Sequence, residues 1–310
     1  MKDFNKLIFD LPSSEYHGMK DSFSSSQLKT MLEDPEVFHK KYITREIGKE
    51  DSIPAFDVGT YFHTSLLEPE KLAEECIVFP GLARRGKEWE AFKEEHKGKA
   101  ILTNSDKVTA DKLIEAVRQS PVSMELLKNS RAEVSAFIEV YVMEGEVFTF
   151  SEGVGYCLCS HGWAASLLDY EEDDIKDFGI RIVLKVRADA LGMGTGIISD
   201  LKSTTGNAKK DFEMQSKVSA YQYDLSAALY LDVFTIASGE QYHTFVWIFA
   251  SKDMGNCKAY RASMKNIMVG RAKWRFSVIQ LAKYVSTNWK FYDEMGELDA
   301  PQYALEWLNK

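Results

Sequence analysis

The sequence predicts one domain of the α/β (α+β) class, in which helices flank a central mixed β-sheet. Two observations support this prediction. Apolar residues follow a helical spacing up to about residue 130, alternate between Ser135 and Leu201, and then return to helical spacing around one more strand. The 310 residues are 45% hydrophobic and 27% charged, and both fractions are typical of a globular protein.

The N-terminal part is expected to be helical. Ser24–Ile43 reads as a short helix with serines available as N-caps, and Asp34-Pro35 predicts a break because a residue before proline disfavours the helical conformation. Phe56–Leu67 has apolar residues at helical spacing and predicts a buried helix. Residues 1–55 therefore form a helical lead-in. Two further helices are expected at 104–119 and 121–129.

The middle of the chain alternates between apolar and polar residues, which predicts strands. These strands are expected at Ser135–Met143, Glu146–Phe150, Ile180–Leu191 and Gly196–Leu201. The glycine-rich run Gly192–Gly196 is typical of a hairpin turn between the last two. Residues 151–178 fit neither period and are predicted to be an insertion.

The C-terminal part returns to helical spacing. Residues 208–235 have a helical pattern, and Gln241–Ser251 is rich in β-branched and aromatic residues, which predicts a strand. Ser263–Val285 predicts a long basic amphipathic helix. Residues 252–310 are therefore expected to form a basic helical region at the end of the single domain.

The charge is unevenly distributed along the chain. With 38 basic and 47 acidic side chains the formal net charge is −9, which argues against a protein that coats nucleic acid with its whole surface. From Lys252 to Lys290 there are nine basic residues and one acid, Asp253. The formal net charge of this segment is +8, so the formal net charge of all other residues is −17. The asymmetry predicts a basic face or channel, and a solvated helix face is the alternative.

The sequence predicts no membrane association. No apolar run approaches the roughly 20 residues of a bilayer span. Met1–Pro12 has a three-residue apolar run, which is too short for a signal peptide. Four cysteines in a chain of this length are typical of reduced thiols, so a cytoplasmic location is expected.

The predicted hairpin carries a candidate catalytic site. Asp189 and Asp200 flank its turn, so their side chains can share a face. Lys202 follows Asp200 by two residues, and strand alternation points both side chains the same way. Paired carboxylates are typical ligands of Mg²⁺ or Mn²⁺, and an ammonium group beside them can orient water or offset charge on a phosphate. A surface ion pair at a strand end is the alternative.

Two other residues are weaker candidates. His63 lies four residues after Gly59, so both share one face of the predicted helix. Glu133 lies at the entrance to the first long strand. Taken singly, neither residue indicates a function.

Together these residues form an ordered set of motifs. The set comprises Gly59 and His63 with Leu66-Leu67-Glu68-Pro69, Glu133, Lys185–Asp189, Asp200–Thr204 and Tyr223–Tyr230. It resembles the RecE-type (exonuclease VIII) branch of the PD-(D/E)XK nuclease superfamily, which is related to RecB-type nuclease domains and lambda exonuclease and is common in phage recombination. The resemblance extends from about Ser24 to Ser251 and implies a restriction-endonuclease-like core.

The resemblance implies a 5′-to-3′ exodeoxyribonuclease that acts on linear double-stranded DNA and leaves 3′ single-stranded overhangs for strand annealing. Two Mg²⁺ or Mn²⁺ ions would be held by His63, Asp189, Asp200 and the carbonyl of Leu201. Lys202 would be the catalytic lysine, and Glu133 would be an accessory acid near the metals.

DNA contacts are expected in three places. Arg187 shares a strand face with Asp189 and is expected to grip a phosphate near the scissile bond. Basic residues expected to contact the DNA are Arg84, Arg85, Lys87, Arg271, Lys273 and Arg275. In the helix after the lysine strand, the resemblance implies Tyr230 and a glutamine, but Ser226 stands at the glutamine position. Gln222 lies one turn earlier and, in a continuous helix, would face the same side and could substitute.

The resemblance also implies partners. Processive relatives form rings, which suggests a homo-oligomeric trimer or tetramer around the ends of double-stranded DNA, working with a single-strand annealing protein. Two alternatives stay open. One is a structure-specific or single-strand DNA nuclease of the same superfamily, and the other is a non-catalytic DNA-binding protein on a nuclease fold.

Overall fold

The computed structural model describes residues 5–48, 54–81, 83–151, 154–165 and 171–291. Its α-helices are α1 (Ser13–Gly18), α2 (Ser25–Glu33), α3 (Pro35–Phe38), α4 (Pro54–Leu67), α5 (Leu72–Glu75), α6 (Lys87–Glu95), α7 (Asn104–Arg118), α8 (Pro121–Lys128), α9 (Glu172–Phe178), α10 (Asp211–Ala220), α11 (Tyr223–Ser238) and α12 (Met264–Ser286). Its strands are β1 (Lys6–Ile8), β2 (Cys76–Val78), β3 (Ala100–Leu102), β4 (Arg131–Met143), β5 (Glu146–Ser151), β6 (Val154–Cys159), β7 (Gly162–Ala165), β8 (Ile180–Gly192), β9 (Ile197–Thr204), β10 (Thr244–Ser251) and β11 (Cys257–Arg261). A π-helical turn, His39–Ile43, follows α3, and a 3₁₀ turn, Pro69–Lys71, precedes α5.

Nine of these strands form one mixed sheet. Its order is β11-β10-β9-β8-β4-β5-β6-β7, and β1 pairs with β4 on the same edge as β5 but further toward the start of β4. All neighbours are antiparallel except β9 and β10, which are parallel and therefore need the crossover that α10 and α11 provide. β2 and β3 form a separate parallel pair.

Helices cover both faces of the sheet. β10 shows this, because its alternating side chains enter two different cores. Phe245, Trp247 and Phe249 pack in the core beneath α2, α11 and α12. The residues between them pack on the other face with α4 and α7 and are Val246, Ile248 and Ala250. This two-sided burial explains why Phe245–Ala250 is a continuous apolar run rather than an alternating one.

α11 and α12 lie unusually close together. A Cβ atom added at Gly270 would be 2.0 Å from the carbonyl oxygen of Asp224, so this position of α12 requires glycine. Next to this contact, the Arg271 guanidinium pairs with Asp232 of α11 at 2.8 Å, and Trp274 Nε1 donates to the same carboxylate at 3.1 Å. Buried ion pairs thus fasten the long C-terminal helix to the core.

The structure confirms the predicted fold class and the order of the elements. The hairpin turn lies between β8 and β9, where Gly194 and Gly196 have φ values of +68° and +69°. The break at Asp34 is also present, and its carboxylate caps α3 by accepting hydrogen bonds from the amides of Glu36 and Val37.

Residues 151–178, predicted to be an insertion, contain β6 and β7, which extend the main sheet outward from β5, and α9, which follows them. Residues 208–235 form two helices rather than one run, with the chain broken at Gln222. Parts of the predicted lead-in, insertion and C-terminal region lie outside the described residues, at 1–4, 49–53, 152–153, 166–170 and 292–310. None of the described helices has the length and apolar character that a bilayer span requires.

Candidate active site

β8 and β9 form a fork, and the candidate acids lie where its arms separate. The two strands pair only next to the turn, from Ala190–Gly192 to Ile197–Ser199. Asp189 and Asp200 are the first residues beyond that pairing. The Asp189 carboxylate crosses the gap, since its Oδ2 accepts a 2.8 Å hydrogen bond from the backbone amide of Leu201. The fork therefore brings the Asp189 carboxylate to the backbone of β9 next to Asp200, and the charge of Asp189 acts on the Asp200 carboxyl.

α4 carries His63 to the same place. Phe62 is fully buried in the core with α7, and this anchor fixes the rotation of α4. The next side chain, His63, reaches β8, where its Nδ1 lies 3.4 Å from Oδ2 of Asp189. Gly59, one turn earlier, lines the same cleft. The structure thus joins the predicted histidine to the predicted acid.

Glu133 completes a three-residue cluster. It lies opposite Asp189 in the β4–β8 ladder, where regular pairing is interrupted on both strands. Its φ of +50° is left-handed, which is uncommon for a residue with a long side chain in a strand. Candidate ligand atoms of His63, Glu133 and Asp189 all lie within 4.8 Å of one another. Burial and the negative charge of Asp189 raise the pKa of Glu133, and Arg187, whose Nη1 is 3.9 Å from Glu133 Oε2, opposes this effect.

Asp200 and Lys202 form an ion pair beside the cluster. Lys202 Nζ lies 2.5 Å from Oδ2 of Asp200, in a contact that is close but not well directed as a hydrogen bond. Burial raises the pKa of Asp200, and Lys202 opposes that effect. Burial alone would lower the pKa of Lys202, but the charges of Asp200 and Asp189 outweigh it and raise that pKa. The two carboxylates therefore favour the ammonium form of Lys202.

The donor set fits a divalent cation. Carboxylate oxygens are ligands for Mg²⁺ and Mn²⁺, and one imidazole is compatible with a transition metal. The buried Oδ2 of Asp200 has no well-directed hydrogen-bond donor, so it has capacity left for a cation. The Leu201 carbonyl lies 3.5 Å from Lys202 Nζ, on the side of the fork that faces the lysine. His63, Glu133 and Asp189 could hold such an ion, because their ligand atoms converge. Asp200 does not belong to that group among the described residues, so it stays a predicted ligand together with the Leu201 carbonyl.

A cleft of about 890 Å³ gives access to these groups. Residues 10–14 form one wall, and α4 with the segment up to Glu75 forms the other. Glu133, Arg187 and Lys202 lie along its floor. The cleft is therefore lined by side chains of both charge signs.

Arg187 is close to the site but already has partners. Its guanidinium donates to Ser135 Oγ at 2.9 Å and to the Leu11 carbonyl at 2.7 Å, and it lies 4.4 Å from the centre of the Tyr16 ring. These contacts fasten the wall formed by residues 10–14 to β8. A phosphate bound at Arg187, as predicted, would therefore contact a guanidinium that also holds the wall formed by residues 10–14.

The predicted role of Gln222 rests on a helix that the structure does not contain. Gln222 has φ +50° and ψ +42° and separates α10 from α11, so it does not lie one helical turn before Ser226. Its side-chain amide donates a 2.6 Å hydrogen bond to Glu33 of α2. The expectation that Gln222 replaces the family glutamine through a shared helix face is therefore wrong. Ser226 and Tyr230 do lie within α11, and the phenol of Tyr230 is near enough to feel the charges of Asp200 and Asp189.

Several basic residues predicted to contact DNA are committed to internal ion pairs. Arg271 is 8% exposed and pairs with Asp232, while Lys273 pairs with the buried Asp224 at 2.7 Å. These partnerships follow from the close packing of α11 and α12 and leave Arg271 unavailable to a phosphate. Arg275 contacts Glu146 at 2.6 Å. The predicted DNA contact is therefore wrong for the buried Arg271, which has a structural role, whereas DNA contact by the partly exposed Lys273 and Arg275 stays a prediction.

The predicted basic stretch before α6 divides in the same way. Arg84 pairs with Asp57 at 2.7 Å and with Asp106 at 3.0 Å, and it also donates to the carbonyl of Ile101. It is therefore structural. Arg85 and Lys87 are exposed, and their contact with DNA stays a prediction.

Lys29 is a residue that sequence reasoning missed. It lies on α2, where its Nζ is 5.2 Å from the centre of the Tyr223 ring, and Tyr223 also lies 5.4 Å from Lys202 Nζ. Burial and the charge of Lys202 lower the pKa of Lys29 to about 8. Lys29 is so far from Tyr223 and Lys202 along the chain that no local sequence pattern indicates its place beside them.

Comparison with known proteins identifies the fold. Residues 175–292, which include the fork and α10–α12, match the sequence model of a family described as "PDDEXK-like domain of unknown function (DUF3799)". A solved structure from Eubacterium rectale, described as "Putative exonuclease", aligns with a TM-score of 0.56 and 14% identity over 97% of this chain and 98% of that chain. These findings confirm the predicted PD-(D/E)XK-like fold class, without singling out the RecE-type branch.

Two other solved structures align more weakly. A protein designated SSO0001 has a TM-score of 0.26 and 13% identity over 73% of this chain and 87% of that chain. Rai1 of Scheffersomyces stipitis, in complex with (3'-NADP)+ and calcium ion, has a TM-score of 0.24 and 10% identity over 92% and 76%. Neither alignment supports an argument about this chain. The comparison with curated protein sequences found no match.

Proposed function

We propose that this chain is a divalent-metal-dependent nuclease that hydrolyses phosphodiester bonds in DNA. The observation that carries the proposal is the convergence of His63, Glu133 and Asp189 within 4.8 Å, next to the Asp200–Lys202 ion pair. Such a set has the ligands for a hard cation and a fixed positive charge in one cleft.

Each group of the proposed site would have a separate chemical role. A bound divalent cation would supply Lewis acidity and a more acidic water. The ammonium group of Lys202 would offset the charge that develops on the phosphate, and Asp200 keeps that group protonated and in place. Asp189 orients the fork through Leu201 while it offers its carboxylate to the cation.

We further propose a 5′-to-3′ exonuclease that acts on linear duplex DNA and leaves 3′ overhangs. The resemblance of the motif set to RecE-type nucleases supports this narrower function, and so does the description of the Eubacterium rectale protein as an exonuclease. A ring-shaped trimer or tetramer and an annealing partner belong to the same proposal. Sedimentation of a trimer or tetramer would support the ring, and a monomer that cuts distributively would contradict it.

The test is digestion of three DNA substrates with Mg²⁺ or Mn²⁺: linear duplex labelled at the 5′ end, the same duplex labelled at the 3′ end, and closed circular duplex. We expect early release of the 5′ label and no cutting of the circle. Lys202→Met should reduce the rate by at least about 100-fold, because removing one preorganised charge from a transition state typically costs that much. Lys128→Met, at an exposed lysine on α8, is the matched control and should be unchanged.

Other outcomes separate the alternatives. Cutting of single strands or of circular duplex would favour a structure-specific or single-strand nuclease. Metal binding without any cleavage would favour a non-catalytic DNA-binding protein.

A further inference from the structure

A pair of aromatic rings, the partly buried Tyr223 and the exposed Tyr221, lies beside Lys202, and we call this pair the tyrosine shelf. Tyr223 lines the cleft, and its ring centre is 5.4 Å from Lys202 Nζ. The ring centre of Tyr221 is 5.5 Å from that of Tyr223, with 31° between the planes. Tyr221 is 59% exposed, so the part of the shelf that is open to solvent is mainly the Tyr221 side chain.

The corner at Gln222 creates the shelf. In a continuous helix, residues two positions apart point in different directions and their rings cannot meet. The left-handed backbone of Gln222 ends α10 and starts α11, and this turn lets the rings of residues 221 and 223 come together. A left-handed conformation at a non-glycine residue costs free energy and persists only where its surroundings hold it.

Helix α2 holds this corner from outside. Lys29 Nζ donates a 3.0 Å hydrogen bond to the carbonyl of Tyr221 and lies 5.2 Å from the Tyr223 ring. Glu33, one turn further along α2, accepts the 2.6 Å hydrogen bond from Gln222. From below, Phe249 packs at 6.2 Å from Tyr223. An exposed feature with this many supports is preorganised rather than a loose surface side chain.

We propose that the tyrosine shelf is a nucleobase-binding subsite, on which the base beside the scissile phosphate stacks while Lys202 and Lys29 face the backbone. The proposal rests on the proposed function and adds how the substrate is held. Nucleotides follow one another at about 3.4 Å along a strand, so a shelf that starts 5.4 Å from Lys202 matches the first one or two bases from the phosphate. Every base has a π face, so stacking suits a nuclease that accepts any sequence.

The first test measures stacking directly and needs no cleavage. An oligonucleotide with 2-aminopurine at its end is bound to the inactive Lys202→Met protein and to the same protein with Tyr221→Ala. Stacking should quench the fluorescence in the first case, and Tyr221→Ala should weaken binding about 5- to 100-fold and remove most of the quenching. Tyr221→Phe should behave like tyrosine. Phe212→Ala is the control, because Phe212 is an 80% exposed aromatic on α10, about 14 Å from Tyr221 along the helix axis.

The second test uses cleavage by the otherwise wild-type chain. Linear duplex with intact or abasic terminal nucleotides is digested by wild type and by Tyr221→Ala. If the terminal base stacks on Tyr221, abasic DNA and the Tyr221→Ala substitution should each raise KM by a similar factor. Combining abasic DNA with Tyr221→Ala should raise KM no further than either change alone. If the two changes together raised KM by the product of their separate factors, the subsite would be overturned. Fluorescence quenching that does not depend on Tyr221 would also overturn it. Wild type that cuts no DNA but shows Tyr221-dependent quenching would overturn the proposed function and leave the subsite standing.

Discussion

The backbone amide of Leu201 donates a 2.8 Å hydrogen bond to Oδ2 of Asp189, and the same oxygen lies 3.4 Å from Nδ1 of His63. One carboxylate therefore joins the two arms of the β8–β9 fork and also faces the histidine of α4. The hydrogen bond that joins the fork and the proposed metal site therefore share one oxygen atom.

Two substitutions at Asp189 should separate these roles. Asp189→Asn keeps an oxygen that can accept from Leu201 and removes the charge, so we expect normal stability and loss of metal-dependent cleavage. Asp189→Leu leaves the Leu201 amide without its acceptor and should also lower the free energy of unfolding by about 1–3 kcal/mol. Urea denaturation and the cleavage assay measure both effects. Equal stability of the two variants would show that the hydrogen bond does not support the fork.

Glu133 is expected to lower the stability of the fold through its backbone conformation and to support activity through its side chain. Its left-handed φ of +50° costs about 1–2 kcal/mol in a residue with a Cβ atom, and glycine has no such cost. We expect Glu133→Gly to raise the melting temperature and to lower activity. Glu133→Gln keeps the strained backbone and removes only the charge, so it separates relief of strain from relief of repulsion with Asp189. A melting temperature that falls in Glu133→Gly would contradict the assigned strain.

Arg271 should matter for folding and not for DNA binding. Arg271→Met leaves the buried Asp232 carboxylate without its partner, which typically destabilises a protein by about 3–5 kcal/mol. Arg275→Gln breaks a more exposed pair with Glu146 and should cost at most about 1 kcal/mol. Chemical denaturation ranks the two variants, and the salt dependence of DNA binding should be unchanged in Arg275→Gln. A flatter salt dependence in that variant would support Arg275 as a phosphate contact.

Lys185 should make stability depend on pH in the alkaline range. It is 3% exposed and donates to the carbonyls of Tyr16 and Met19, and burial with the charge of Arg187 lowers its pKa to about 8. Between pH 8 and about 10.4 the unfolded chain keeps a proton that the folded chain has released, so stability rises with pH in that window. Relative to Lys185→Met, wild type should gain on the order of 1–3 kcal/mol from pH 7 to pH 10 in urea denaturation. A constant difference between the two proteins would contradict the lowered pKa.

Local chemistry made part of the site predictable from sequence. Asp189, Asp200 and Lys202 lie on two strands joined by a short glycine turn, so chain connectivity alone brings them close. His63 and Glu133 come from other elements, and only their order within a motif set indicated them. Their convergence on Asp189 depends on how α4 and β4 pack against the fork, which no single motif specifies.

The failures of sequence reasoning have a common physical origin. Composition identified basic residues correctly, but it does not report which of them find an acid in the folded chain. Arg271 and Asp232 are 39 residues apart, and Arg275 and Glu146 are 129 apart. The prediction of a continuous helix through Gln222 failed for a related reason, because no glycine or proline in the sequence indicates the break between α10 and α11. Its left-handed backbone is supported by α2, and the Lys29–Tyr221 hydrogen bond there spans 192 residues.

Binding of Mn²⁺ shows whether His63 and the acids of the fork surround a divalent cation. Isothermal titration calorimetry should compare wild type, His63→Gln and, as a control, His161→Gln in the exposed turn between β6 and β7. We predict that wild type and His161→Gln bind Mn²⁺ alike, whereas His63→Gln binds it roughly tenfold more weakly or worse because it loses the imidazole ligand. Equal Mn²⁺ affinity in all three proteins would contradict the shared metal site.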